Sequence, residues 1–158
     1  MSYVRAAAAS VKLTDDNMEE LGSRTKAFNR PWEGEFRANA LVLDADQQIC
    51  IVSLDSLIVP LGVTKAAAER IAVATGIPND NILICATHTH GGPCPIDILG
   101  CKPNVEFLRR LEEGSVLAAV KATAALDAAQ SDAGIELLFG LSQEATVGRN
   151  SRLLLKDG

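Results

Sequence analysis

The chain has 158 residues and a mass of 16.7 kDa, the size of one compact domain or of a large piece of a bigger one. Apolar residues make up 47% and charged residues 22%, with a mean hydropathy of +0.14, so the chain can bury a core and is not a disordered segment. Fifteen Lys and Arg against twenty Asp and Glu leave a net charge of −5, which speaks against nucleic acid and against an electrostatic membrane anchor as partners.

No apolar run reaches the roughly 20 residues that a spanning helix needs, so no transmembrane segment is expected. The first residues, Met1 to Lys12, contain alanines and one Arg but no apolar h-region, which argues against a secretory signal. The four cysteines then read as reduced thiols and the compartment as the cytoplasm. Cys50 and Cys85 lie in apolar runs and are expected to act as small core hydrophobes.

In chain order, Ala6 to Ala9 and Val11 to Thr14 suggest an opening strand, followed by a polar stretch from Asp15 to Glu35. Two β-branched runs, 38–43 and 49–54, flank the turn-forming Asp44-Ala45-Asp46-Gln47 and predict a hairpin. Thr64 is the expected N-cap of a helix that Gly76 and Pro78 stop. The run Asn81 to Ala86 is apolar after its first residue, as in a strand buried on both faces. After a Gly- and Pro-rich loop from Gly91 to Pro103, a long helix is expected from Asn104 to about Gln130. Its inward face should carry Leu108, Leu111, Ser115, Ala118, Ala122, Ala125 and Ala129. Ile135 to Leu141 reads as a further strand, and another begins near Leu153. The fold class is therefore α/β, a single domain over 1–158 with a mixed sheet and helices packed on it.

A strand ending near Asp55, the helix from Thr64 and the strand ending at Ala86 form a βαβ crossover, so Asp55 and Thr87-His88-Thr89-His90 leave the same edge of the sheet. That edge is where open α/β sheets bind ligands. His88 and His90 are the only two histidines, and in extended backbone residues two apart share a face, so both imidazoles can converge on one point. Neutral imidazole is a common ligand of Zn²⁺. A surface or hydrogen-bonding pair is the plain alternative, and Asp55 alone could be a solvated or capping carboxylate. Gly91 and Gly92 let backbone approach a substrate. A closed zinc site from His88, His90, Cys94 and Cys101 is a further scheme, with a cysteine spacing wider than the usual knuckle. Arg149, Asn150 and Arg152 form a second cluster, whose guanidinium groups could fix a carboxylate, phosphate or oxyanion or lie solvated on a turn.

The stretch from Asn81 to Pro93, centred on Ala86-Thr87-His88-Thr89-His90-Gly91-Gly92-Pro93, resembles the Ala-Thr-His-Thr-His-Ser-Gly-Pro signature of the neutral/alkaline non-lysosomal ceramidases. Phe36 to Leu43 leading to Ile51 to Asp55, and Gly148 to Gly158, agree with the amino-terminal part of that family's catalytic domain in the same order. The resemblance implies an amidohydrolase with one zinc ion and a small-molecule amide or lipid-like substrate. It implies His88 as a metal ligand and His90 as the group touching the reacting centre. Arg149 or Arg152 assists there; from their own places at the strand edge, in the glycine loop and in the arginine cluster, Asp55, Gly91 and Asn150 are expected to contribute to substrate binding.

The family's other ligands, a His, a Glu and a Tyr, lie downstream, and no third histidine is present here. This implies an amino-terminal portion of a larger hydrolase, with zinc held weakly or not at all until a further chain segment or a second copy completes the site. The alternative function is a non-catalytic small-molecule-binding or regulatory domain that keeps the fold.

Overall fold

A computed structural model of the chain describes residues 4–13, 35–98, 100–129 and 134–143. Among the described residues four strands and two α-helices succeed one another, with a short 3-10 turn (Asn79–Asn81) before β4: β1 (Arg5–Lys12), β2 (Arg37–Asp44), β3 (Gln48–Leu54), α1 (Leu61–Thr75), β4 (Ile82–Ala86) and α2 (Val105–Ala128). The strands form one sheet in the order β1-β2-β3-β4. The first three are antiparallel neighbours, with Arg5 opposite Asp44 and Ala38 opposite Leu54. β4 joins β3 in parallel, from Cys50 opposite Ile82 to Leu54 opposite Ala86. The mixed α/β sheet and the crossover through α1 are as the sequence predicts, and so is the hairpin about residues 45–47.

One sheet face is covered. Ala38, Ala40 and Val42 of β2 and Cys50, Val52 and Leu54 of β3 are buried with Ile71 of α1 and with Phe107, Leu111, Ala118, Ala119, Ala122 and Leu126 of α2. The small residues of β2 and α2 let helix and sheet approach closely. At Gly114 a Cβ would stand 2.4 Å from Leu13 Cδ2, so only glycine fits that crossing undisturbed. The buried stripe of α2 runs through Phe107, Gly114, Ala119, Thr123 and Leu126 as well as Leu111, Ser115, Ala118 and Ala122. The expected inward positions Ala125 and Ala129 are exposed and Leu108 is half-buried, so the stripe is rotated toward Phe107 and Leu126.

Helix ends follow local chemistry. The Asn104 side chain accepts from the Phe107 N–H at 2.8 Å, capping α2 where the sequence places its start. Gly76 ends α1 in the left-handed region at φ 77°, with its N–H on Ala72 O. Thr64, however, is not the cap. The cap position is Pro60, four residues earlier, helix α1 begins at Leu61, and the Thr64 hydroxyl donates to Leu61 O inside the first turn.

Two strand expectations need correction. β4 is not buried on both faces: Leu83 is 56% exposed and Cys85 is exposed, while Ile82, Ile84 and Ala86 turn inward. The outer face of the sheet, with Leu41, Ile49 and Leu83, is open, and β4 is an edge strand among the described residues. An apolar strand needs only one covered face to form, and composition does not say whether the second is covered. Ile135 to Leu141 forms no strand. Ile135 makes a single antiparallel bridge to Val4, a pairing that runs the segment away from β1 and leaves it without a ladder among the described residues. The expected strand near Leu153 and the polar stretch 15–34 lie outside the described residues.

Candidate active site

The carboxyl ends of β3 and β4 meet at one end of the sheet. Three backbone bonds continue the ladders past the strand ends there: Leu13 N to Phe36 O at 2.8 Å, Asp55 N to Arg37 O at 2.9 Å, and Thr87 N to Leu54 O at 2.9 Å. Asp55 and Thr87 therefore leave neighbouring strand ends side by side, as the crossover requires.

Asp55 has a local duty. Its Oδ2 accepts the Arg37 backbone N–H at 2.9 Å while its own N–H goes to Arg37 O, which closes the β2–β3 hairpin reciprocally. One carboxylate oxygen is committed to backbone, as in the capping alternative the sequence allowed.

The histidine pair is brought together, by a different route from the one expected. The strand ends at Ala86, and His88 takes φ 62°, the one positive φ among the non-glycine residues described. The convergence of the two rings therefore does not come from regular strand alternation. The left-handed residue turns the chain so that the imidazoles of His88 and His90 lie 5.0 Å apart, edge to face at 82°. Both histidines are exposed.

His88 Nδ1 lies 2.7 Å from the carbonyl oxygen of Leu57. A carbonyl only accepts, so Nδ1 carries the proton and Nε2 holds the lone pair. A ring fixed in this way by a backbone carbonyl is the form in which histidine ligates metal ions. Leu57 belongs to the turn between β3 and α1. That turn is shaped by Ser56, which is fully buried, donates its hydroxyl to Ile58 O at 2.8 Å and sends its N–H to Leu54 O at 2.9 Å.

The glycines after the pair differ. Gly91 is exposed, with nothing nearer to a hypothetical Cβ than Thr89 Oγ1 at 3.8 Å, which leaves room for a ligand over the backbone. Gly92 is buried, and a Cβ there would lie 3.1 Å from the Phe36 ring, so it is a packing residue and not a substrate contact. Gly92 to Pro95 are buried as a block, and Asn104 N donates to Cys94 O at 2.9 Å, tying this loop to the start of α2.

Among the described residues no three His, Cys, Asp or Glu side chains are grouped closely enough to hold a cation. The closed site of His88, His90, Cys94 and Cys101 is thereby overturned. Cys94 is drawn into the buried loop block while both histidines face solvent. Two imidazoles fit as part of a zinc ligand set, not as the whole of one. Arg149, Asn150 and Arg152 lie outside the described residues. Cys50 is buried as expected, its thiol pushed up to about 11 by burial, but Cys85 is not a core residue. A hollow of about 270 Å³ between Val11–Leu13 and Arg109–Leu117 of α2 is lined by none of the candidate residues. The sequence reading missed Ser56 and Leu57. One acts through a buried hydroxyl and the other through a main-chain carbonyl, and neither leaves a signature in residue type.

An α/β sheet that presents a histidine pair, one ring of it fixed by a backbone carbonyl, beside the ends of its parallel strands has the layout in which α/β enzymes hold small ligands. The comparison that bears on the class is structural. The fold is similar to that of a solved structure described as "Ceramidase complexed with C2", with a TM-score of 0.62 and 17% identity over 80% of this chain. This chain covers 22% of the length of that one. At this identity the likeness is one of fold, and the fold is ceramidase-like. No family model and no curated protein matches the sequence. No helix among the described residues is long and apolar enough to cross a membrane.

Proposed function

We propose that the chain is part of a zinc-dependent, ceramidase-like amide hydrolase acting on N-acyl or lipid-like small molecules. The observation that carries this reading is the Nδ1–H to Leu57 carbonyl bond, which leaves His88 Nε2 as a metal-seeking nitrogen beside His90, in a ceramidase-like fold. His88 holds the metal and His90 faces the reacting carbonyl. Arg149 or Arg152 supports the charge that develops on its oxygen, while Gly91, Asn150 and Asp55 border the substrate. Zinc, if held by His88 and the ligands that complete its set, would supply Lewis-acid polarisation of the amide carbonyl. His90 and the arginine add hydrogen bonds that strengthen as the oxygen gains charge. The remaining ligands come from further chain or from a second copy. The four thiols, none of them in a disulfide, support a cytoplasmic setting.

A second reading has its own support. The pair of imidazoles is only part of a zinc ligand set, and in a non-catalytic small-molecule-binding or regulatory domain with the same fold the exposed rings would serve as contacts to a small ligand instead. Zinc titration of the purified chain, with hydrolysis of N-acyl substrates followed in parallel, separates the two. His88→Asn keeps a residue type that tolerates the left-handed region and should abolish zinc binding. His90→Ala should spare zinc and remove turnover. Unchanged zinc stoichiometry in His88→Asn removes His88 as a ligand, and binding of substrate analogues without zinc or turnover favours the second reading.

A further inference from the structure

The turn between β3 and α1 does more than connect them. It delivers one carbonyl, that of Leu57, to the imidazole of His88, 31 residues away in sequence, at 2.7 Å. A four-residue excursion from Asp55 to Ile58 has many ways to turn, and most would aim that carbonyl elsewhere. Here the choice is fixed from inside. Ser56, inside the turn, is fully buried, its N–H is bound back to Leu54 O, and its hydroxyl reaches forward to Ile58 O. Leu57 lies between the two anchor points and is itself only 6% exposed, so its peptide has little freedom to rotate. The same Leu54 carbonyl also receives the Thr87 N–H, so the turn and the histidine segment are built on one shared acceptor. The other side of the contact is constrained as well, because His88 sits at φ 62°, a conformation that persists only where its surroundings hold it.

We infer that Ser56 is a positioning residue for His88: its hydroxyl locks the turn whose Leu57 carbonyl holds the imidazole as the Nδ1–H tautomer. The role rests on the hydrolase reading for its purpose, but it exists in the metal-free chain. Loss of the Ser56 hydroxyl leaves Ile58 O without its donor and frees the Leu57 peptide. Nδ1 then loses its fixed acceptor, and the proton is no longer kept off Nε2.

The test is long-range proton–nitrogen NMR on the full chain labelled with ¹⁵N-histidine, at about pH 8, where an ordinary imidazole is neutral. With only two histidines, a His90→Gln variant assigns the spectrum. His88 in the unsubstituted chain should show the Nδ1–H pattern. Ser56→Ala should move at least half of the population to the Nε2–H form. Ser56→Cys, close in size with a weak S–H donor, should fall between the two and serves if Ser56→Ala does not fold. The Nδ1–H pattern persisting in a folded Ser56→Ala or Ser56→Cys chain overturns the inference, and so does an Nε2–H pattern in the unsubstituted chain. Zn²⁺ added to the same samples separates this inference from the hydrolase reading. A weakening of binding by about tenfold or more on substitution supports both. A tautomer shift on substitution, with His88 insensitive to Zn²⁺ throughout, upholds the positioning role and removes zinc binding by this chain alone.

Discussion

The rings of His88 and His90 meet edge to face with centroids 5.0 Å apart, and they do so because His88, not the strand before it, bends the chain. A non-glycine residue in the left-handed region carries a steric cost of about 1–2 kcal/mol, because its Cβ crowds the following carbonyl. Glycine escapes that cost, though part of the gain is returned through its greater freedom in the unfolded chain. His88→Gly should therefore be more stable than His88→Ala by about 1 kcal/mol, or about 2–4 °C in melting temperature for a domain of this size. Asn, tolerant of the same region, should fall between them. Calorimetry of the three variants checks this. Equal melting temperatures for Gly and Ala would mean that the turn at His88 relaxes once the imidazole is gone.

The contact between α2 and the end of β1 sets a second expectation. Gly114 lies against Leu13, where a Cβ would approach Leu13 Cδ2 to 2.4 Å and Ala38 Cβ to 3.4 Å. Gly114→Ala raises helix propensity by about 0.5–1 kcal/mol, while overpacking a filled core costs about 1–3 kcal/mol. Leu13 is only 2% exposed and its N–H is held by Phe36 O, but its side chain borders the hollow beside Arg110 and Leu117 and can shift toward it, so the two effects should nearly cancel and leave Gly114→Ala within about 1 kcal/mol of the unsubstituted chain. In Leu13→Ala the obstruction is gone, and Gly114→Ala should become neutral or stabilising there. Urea unfolding of the two single variants and the double variant measures the coupling. Strict additivity would mean that the helix shifts bodily and the crossing is not tight.

These contacts also show how far the sequence could be read. Residue pattern sufficed where one element's own chemistry decides its shape. The Asp44–Gln47 turn, Gly76 as a helix stop and Asn104 as a helix cap depend on neighbours in sequence. The crossover that aligns Asp55 with Thr87 follows from the order of elements alone. What was not legible depends on distant partners. Thr64 looked like a cap because nothing local showed that Pro60 already begins the helix. Cys85 and Leu83 looked buried because an apolar run does not state how many of its faces are covered. The histidine pair was legible as a pair. Its orientation was not, since that rests on a carbonyl from Leu57 and a hydroxyl from Ser56, groups whose importance comes from position and not from residue type.

Acid sensitivity should be traceable to the first turn of α2. The Arg109 guanidinium, then that of Arg110, holds Glu106 down to about 2 from an ordinary 4.5, and the helix amino terminus favours the same charge. A carboxyl lowered in the folded state stabilises the fold above its unfolded value. Its contribution is lost as pH falls from about 4.5 through about 2. Glu106→Gln should thus flatten the fall of melting temperature across that window and change little near neutrality. The group is solvent-exposed, so the effect should be modest and should shrink with added salt. An unaltered acid limb in Glu106→Gln at low salt would mean that the arginines pair equally well with Glu106 in the unfolded chain.

Thiol chemistry tests the open face of the sheet directly. Cys50 and Cys85 are on neighbouring strands, one opposite Ile82 and the other opposite Ser53, yet they point to opposite faces. Cys50 is buried under the helices, and burial pushes its thiol up to about 11, so little reactive thiolate forms at neutral pH and access requires unfolding. Cys85 shares the exposed face with Leu83, its Sγ donating to Val52 O at 3.5 Å, and should react in the native chain well before Cys50. Labelling of the native chain, followed by mass mapping, should modify Cys85 first and Cys50 only with denaturant. Leu83→Lys on the same face should leave the unfolding free energy within about 0.5 kcal/mol of that of the unsubstituted chain, as an exposed position does. Protection of Cys85 together with a large loss of stability in Leu83→Lys would mean that this face is covered in solution, by a second copy or by residues outside those described, and the edge strand β4 would then be an interior strand of a larger sheet.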